Sequence, residues 1–214
     1  MYAIEFRLEF RAKYAGQFWI GAEQDAIELQ AANPALSSMH RGSIALQRGD
    51  YDLCSEFYRR ALELEPNSVL SHLTAPLPLL YAGRLGDARS AIARARQLFP
   101  GESFSLGMTA ILAGIEGDQK RAETLADEAA QSTHSLTHTH HTWHSCAAAY
   151  ALCDKPDKAI HELERCAAMG LPNYRLFERD SSLQSLRKDA RFGELMTRLR
   201  REHDSIRDEF GLDD

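Results

Sequence analysis

Proline and glycine are scarce, at 7 and 13 of 214 residues, so no segment has the composition of a long unfolded linker. Cysteine is scarcer still. Its four copies, Cys54, Cys146, Cys153 and Cys166, form neither a CxxC pair nor zinc-ligand spacing. They read as the reduced thiols of a cytoplasmic protein. No apolar run reaches the roughly 18 residues a helix needs to cross a bilayer, so no membrane partner is expected. Residues Met1 to Phe10 alternate charges with aromatics and lack the apolar core of a secretory leader. A basic excess is missing as well: 25 Lys and Arg stand against 31 Asp and Glu, a net charge of −6. That balance argues against a nucleic-acid partner. The basic strips Arg84 to Arg96 and Arg187 to Arg201 are interleaved with acids, as solvated helix faces are. Finally, no GxGxxG, Walker loop, HExxH or GxSxG occurs. The chain is expected to be no enzyme and to need no cofactor.

What the sequence does have is a register. Gly49, Gly83 and Gly117 fall 34 residues apart. A small residue follows each, at Cys54, Ala88 and Ala122, and another at Ala61, Ala95 and Ala129. Pro66 and Pro100 close the first two units, and a fourth unit repeats the small slots three residues late at Ala159 and Cys166. Such a register is what stacked helical hairpins require. Two helices approach at short range only where the side chain is little more than a methyl group. Glycine supplies the turn before the second helix, and proline stops that helix at its end.

These residues resemble the tetratricopeptide repeat (TPR) family, whose unit carries a Trp, Leu-Gly, Tyr, Ala, Phe, Ala, Pro pattern. The fourth unit matches at Trp143, Ala147, Tyr150 and Ala159, the first at Gly42, Tyr58, Ala61 and Pro66. The likeness covers about residues 36 to 170. It implies an all-α, right-handed superhelix (an α-α solenoid) of about four to five helical hairpins. Units are expected at 35–68, 69–102, 103–136 and 137–170, with turns near Gly49, Gly83, Gly117 and Asp154 and no sheet.

Some residues depart from the pattern. Arg41 stands where the family prefers Leu. Pro76 and Pro78 fall inside the first helix of the second unit, which should kink or start late because proline removes a helix hydrogen bond. The third unit, built on Ala110, Ala113 and Ala126, should pack tightly but bury less area. Residues 1–34 read as a degenerate N-terminal hairpin, with Gly16 as its turn, Phe18-Trp19-Ile20 as its stripe and Asn33-Pro34 as its stop. Residues 171–214 read as a connecting segment and a C-terminal capping helix, with Phe192, Leu195, Met196 and Leu199 at helical spacing. Asp180, Leu183, Leu186, Arg187, Asp189, Arg191 and Phe192 also resemble the D-x-x-L-x-x-L-R-x-D-x-R-F tail that closes TPR regions of bacterial kinases, cyclases and winged-helix regulators.

The resemblance places the working surface on the concave side, lined by the first helix of each unit. Inward positions there are Leu36, Met39 and Leu46, then Leu70, Leu73, Leu77, Leu80 and Tyr81, then Phe104, Met108 and Ile111, then His141 and His144. The Lys, Asn and Arg with which some relatives clamp a carboxylate are missing from these positions. An apolar groove of this kind suits a partner protein, as a peptide or helix, the chain's own terminal segment, or a second copy in a homodimer. Alternatively, residues could pack on each other. The expected function is a non-catalytic interaction module of a bacterial regulator, with a ligand or metal sensor as the alternative. For the latter, His138, His140, His141 and His144 offer i, i+3 and i, i+4 spacing, but a polar, exposed loop that turns helical near His140 is the preferred account, and no metal is expected.

Overall fold

In a computed structural model, residue 27, residues 29–169 and residues 173–210 are described. The expected N-terminal hairpin lies almost wholly outside them. Among the described residues there is no strand, and no helix is long and apolar enough to cross a membrane. Helices α1 (Pro34–Arg48) and α2 (Tyr51–Leu64) form the first hairpin. In the second, α3 (Val69–Thr74) and α4 (Pro76–Tyr81) pair with α5 (Leu85–Leu98). The third and fourth are α6 (Ser103–Ile115) with α7 (Gln119–Gln131), and α8 (Thr139–Leu152) with α9 (Pro156–Ala168).

The four turns are built alike. Gly49, Gly83 and Gly117 take left-handed φ of 81°, 70° and 84°, and Asp154 does so at 56°. The amide after each reaches back five residues: Asp50 to Ala45, Arg84 to Leu79, Asp118 to Ala113 and Lys155 to Tyr150, each at 2.9 Å. These bonds satisfy carbonyls that the end of the first helix leaves orphaned. Where the next helix has an acceptor at its start, it is used at once: Asp50 takes the Leu53 amide and Asp118 the Arg121 amide, both at 3.1 Å.

The small slots are sealed from solvent. Cys54, Ala61, Ala88, Ala95, Ala122, Ala129, Ala159 and Cys166 are all buried to 1 % exposure or less. In the first hairpin Tyr58 lies directly on the Gly42 backbone, where an added Cβ would stand 2.5 Å from the ring. The prolines act as expected. The first helix of the second unit breaks at Ala75 into α3 and α4, and Pro76 begins the second piece. The third unit differs from expectation: α6 is buried from Ser103 through Ala113. It is buried all round, with the hydroxyls of Ser103, Ser105 and Thr109 hydrogen-bonded inside, and α5, α7 and α8 pack against it.

Beyond α9 the chain forms α10 (Tyr174–Arg179), a 3-10 helix (Ser181–Lys188) and α11 (Ala190–Phe210). Asp189 starts α11 by accepting the Arg191 amide at 2.9 Å. Arg191 in turn reaches Asp157 of α9 at 2.7 Å, while Phe192, Leu195 and Leu199 are buried beneath the helix.

Replacing Ala88 or Ala122 by Leu should overpack its junction and destabilise the fold by roughly 1–3 kcal/mol. Urea unfolding measures this. Melts identical to the parent would contradict the assignment of these slots.

Candidate functional site

Most of the side chains expected on the concave surface are covered. Met39, Leu73, Leu77, Leu80, Phe104, Met108, Ile111 and His144 are buried, and Leu46, Tyr81 and His141 are half-buried. Leu36 and Leu70 remain exposed, at 36 % and 39 %. An open apolar groove is therefore not what these residues form. The stacked hairpins bury them, and the chain's own C-terminal segment, packed chiefly on α8, joins the same core. Tyr174, Phe177, Leu183 and Leu186 belong to the same buried cluster as Leu73, Leu77, Leu80, Phe104, Met108 and Ile111.

This segment, residues 173–188, acts as a strap across the first helices of the hairpins. It meets the first unit where Asn173 Nδ2 donates to Gln47 Oε1 at 3.0 Å and Arg179 donates to the Gln47 carbonyl at 2.7 Å. It meets the fourth unit where Ser185 donates to the Ala151 carbonyl at 2.7 Å. Between these ends the Phe177 ring stacks on His144, with centroids 5.4 Å apart. The anchors Phe177, Asp180, Leu183 and Leu186 recur at every third residue. Leu183 and Leu186 fall within the 3-10 helix, where residues i and i+3 eclipse, whereas Phe177 belongs to α10 and Asp180 stands between the two. All four are buried, as is Ser182, while Arg179, Gln184, Ser185, Arg187 and Lys188 are exposed.

Asp180 is the polar centre of the strap and is buried. Its side chain caps the 3-10 helix by accepting the Ser182 amide at 2.8 Å. Its other oxygen accepts a long hydrogen bond from the Tyr81 hydroxyl at 3.5 Å. His144 Nε2 lies 3.1 Å from that oxygen without hydrogen-bond alignment. A carboxylate so placed needs each of these contacts, because burial without partners disfavours charge. Tyr51 stacks on Tyr81 with centroids 5.4 Å apart. Burial, then the Asp180 charge, pushes both phenols above their ordinary range.

The four nominated histidines separate. His138 and His140 stack with ring centroids 5.2 Å apart, and His141 meets His140 edge-on at 4.4 Å. His144 turns instead to Phe177 and Asp180. Helix α8 begins at Thr139, and His140 and His144 are buried, so this stretch is not a uniformly exposed loop. No group of three or more His, Cys, Asp or Glu among the described residues is set to hold a metal. Burial, then the neighbouring His138, lowers the His140 pKa to about 4. Burial also holds His141 well below its ordinary value, with His140 the next cause.

The cysteines are packing residues. All four are buried, and burial pushes Cys54 up to about 12 and Cys146 and Cys166 higher still. A thiol held protonated in this way is a poor nucleophile. On the side of the second helices, Lys158 joins Asp127 at 2.7 Å and Glu123 at 3.0 Å, and the Tyr150 hydroxyl donates to Asp127 at 2.7 Å. That network ties α7 to α8 and α9.

His140 gives the fold a pH dependence. Its folded pKa of about 4 lies below the ordinary 6.5, so on acidification the unfolded chain takes up the proton first. Stability is then full at neutral pH and is lost as pH falls from about 6.5 towards 4. Between about pH 7 and about pH 5 the parent should lose about 2 kcal/mol more than a His140→Leu variant, read by urea unfolding. Equal losses would contradict a buried, neutral His140.

Comparison with known proteins bears on the fold. The tetratricopeptide repeat family model matches residues 37–68. Among curated proteins no match is found. The crystal structure of the APC/C hetero-tetramer Cut9-Hcn1 is similar with a TM-score of 0.57 at 15 % identity, over 88 % of this chain and 36 % of that one. Yeast Tom70 follows with a TM-score of 0.48 at 16 % identity, over 86 % of this chain and 38 % of that one. Pseudomonas aeruginosa pilF has a TM-score of 0.47 at 15 % identity, over 86 % and 77 % respectively. The chain thus spans little more than a third of the Cut9-Hcn1 and Tom70 chains it matches. Together with the four like turns and the filled small slots, the matched repeat at residues 37–68 and the likeness to Cut9-Hcn1 give the chain the fold of a tetratricopeptide-type all-α solenoid.

Proposed function

We propose that the chain is a non-catalytic protein-interaction module, a scaffold in bacterial signalling or regulation, that holds a peptide or helix of a partner protein on its inner face. One observation carries this reading: that face already seats a helical segment, through Phe177, Asp180, Leu183 and Leu186 of the strap. A surface that accommodates apolar anchors from one short helix has the chemistry to accommodate them from another. The protonated, buried cysteines and the structural duties of the buried histidines are in keeping with binding rather than catalysis.

The strap leaves part of the surface free. Leu36 and Leu70 stand 34 residues apart, at the same position of successive units, and both are exposed. They are the natural first contacts for an apolar partner face, and a change there does not touch the core. Binding energy at such sites concentrates in few side chains. Leu36→Glu and Leu70→Glu should each weaken the complex with a captured partner tenfold or more, about 1.4 kcal/mol, with the helical circular-dichroism signal unchanged. Affinity unchanged in both variants would overturn this placement. Sedimentation of the parent chain alone distinguishes a second copy as the occupant: a dimer that both variants dissociate would identify it.

A further inference from the structure

The last turns of α4, α6 and α8 meet the start of the 3-10 helix around a cleft of about 240 Å³. It is lined by Leu80, Ile111, Ile115 and Leu152 on the solenoid and by Ser181 and Ser182 on the 3-10 helix. Leu80 and Ile111 are buried, whereas Ile115 stands exposed at the rim. Gly83 lines the cleft too, and a Cβ added there would meet no atom within 4 Å, so entry is open on that side. Water held against apolar walls is released favourably by an apolar group. One polar group faces the cleft without a partner. Ser182 is only 8 % exposed, and its amide donates to Asp180 at 2.8 Å. Among the described residues its hydroxyl has no hydrogen-bond partner. An unpaired hydroxyl so enclosed costs free energy that a pairing ligand would recover. Its neighbour Ser181 is exposed, where water satisfies it.

We propose that this cleft is a small-molecule site, and that its ligand is a neutral, largely apolar molecule built on one ring, with a hydroxyl that pairs with Ser182. Volume sets the size. An apolar protein cavity of about 150 Å³ accommodates benzene, so about 240 Å³ accommodates a ring bearing a short chain. The lining sets the charge. Among the described residues no charged side chain lines the cleft, so an ionised ligand would lose its hydration without a counter-charge. An anion meets a further obstacle in Asp180, which lies behind Tyr81: the Tyr81 ring lines the cleft and its hydroxyl donates to that carboxylate at 3.5 Å. A carboxylate ligand would bring a like charge towards it. The site is separate from the partner surface placed at Leu36 and Leu70, and it stands or falls independently of that reading.

Titration of the full chain with three probes, followed by methyl NMR, tests it. The probes are 4-ethylphenol, ethylbenzene and 4-ethylbenzoate. 4-Ethylphenol should shift the methyl signals of Ile111, Ile115 and Leu152. It should bind about fivefold more tightly than ethylbenzene, the contribution of one neutral hydrogen bond, and 4-ethylbenzoate should bind most weakly. Ser182→Ala should erase the advantage of the hydroxyl while leaving ethylbenzene binding unchanged, and Ser181→Ala should preserve that advantage. Ile115→Trp fills the cleft from its exposed rim. It should abolish binding of both neutral probes with the helical circular-dichroism signal intact. No shift of these methyls at millimolar 4-ethylphenol would overturn the proposal. So would an advantage of the hydroxyl that survives Ser182→Ala, or 4-ethylbenzoate binding as tightly as 4-ethylphenol. The probe comparison and Ile115→Trp need no change at Ser182, so they decide the matter even where Ser182→Ala disturbs the 3-10 helix.

Discussion

Close approach of helix to helix, possible only where a side chain ends at a methyl or a thiol, is the constraint on which this molecule depends. The eight slots from Cys54 to Cys166 satisfy it, and each is sealed from solvent. A larger group at any of them would separate a hairpin or push two units apart, because a packed interior relaxes only in part. The turns serve the same end. Three glycines and Asp154 place the second helix of each hairpin back against the first, and the same five-residue hydrogen bond closes every turn. Asp154 shows that glycine's role is conformational, since Asp is among the few residues that enter the left-handed region at modest cost.

The strap adds long-range contacts to those that stacking supplies. It runs from Gln47 in the first unit to Ala151 in the fourth, so it joins parts of the solenoid that the stacking order keeps apart. The tail pattern noticed in the sequence acquires a physical meaning here. Asp180 caps the 3-10 helix and meets Tyr81, Leu183 and Leu186 enter the core, Asp189 starts α11, Arg191 binds α9, and Phe192 is buried beneath α11. Arg187, the remaining residue of the pattern, is exposed and donates to the Glu178 carbonyl.

Much of the fold was legible because repetition averages out local ambiguity. A single alanine says little, but alanines at 34-residue steps after glycines of the same spacing admit few structures. The break at Ala75 was likewise announced by Pro76 and Pro78, since the cause is local. The site was legible only in part. Most of the inward positions are buried, and the packing of residues 173–188 against the same core depends on contacts spanning more than 120 residues, such as Asn173 with Gln47. No period in the sequence encodes such a contact. Gln47 and Ser182 carried no signal at all: one is a polar residue near a helix end, the other one of many serines. The burial of α6 was missed for a related reason. Its small residues look like weak anchors in isolation, and only the neighbours on every side make them core.

If residues 173–188 really close the inner face, then the two ends of that closure must be energetically coupled. A double-mutant cycle on Gln47→Ala and Asn173→Ala isolates this coupling. Asn173 also caps α10 by accepting the Leu176 amide at 3.0 Å, but that contribution appears in both legs of the cycle and cancels. Measured by urea unfolding, the cycle should return an interaction energy of about 0.5–1 kcal/mol. Strictly additive losses would mean that the strap does not rest on the first unit, and that the inner face of the solenoid is open.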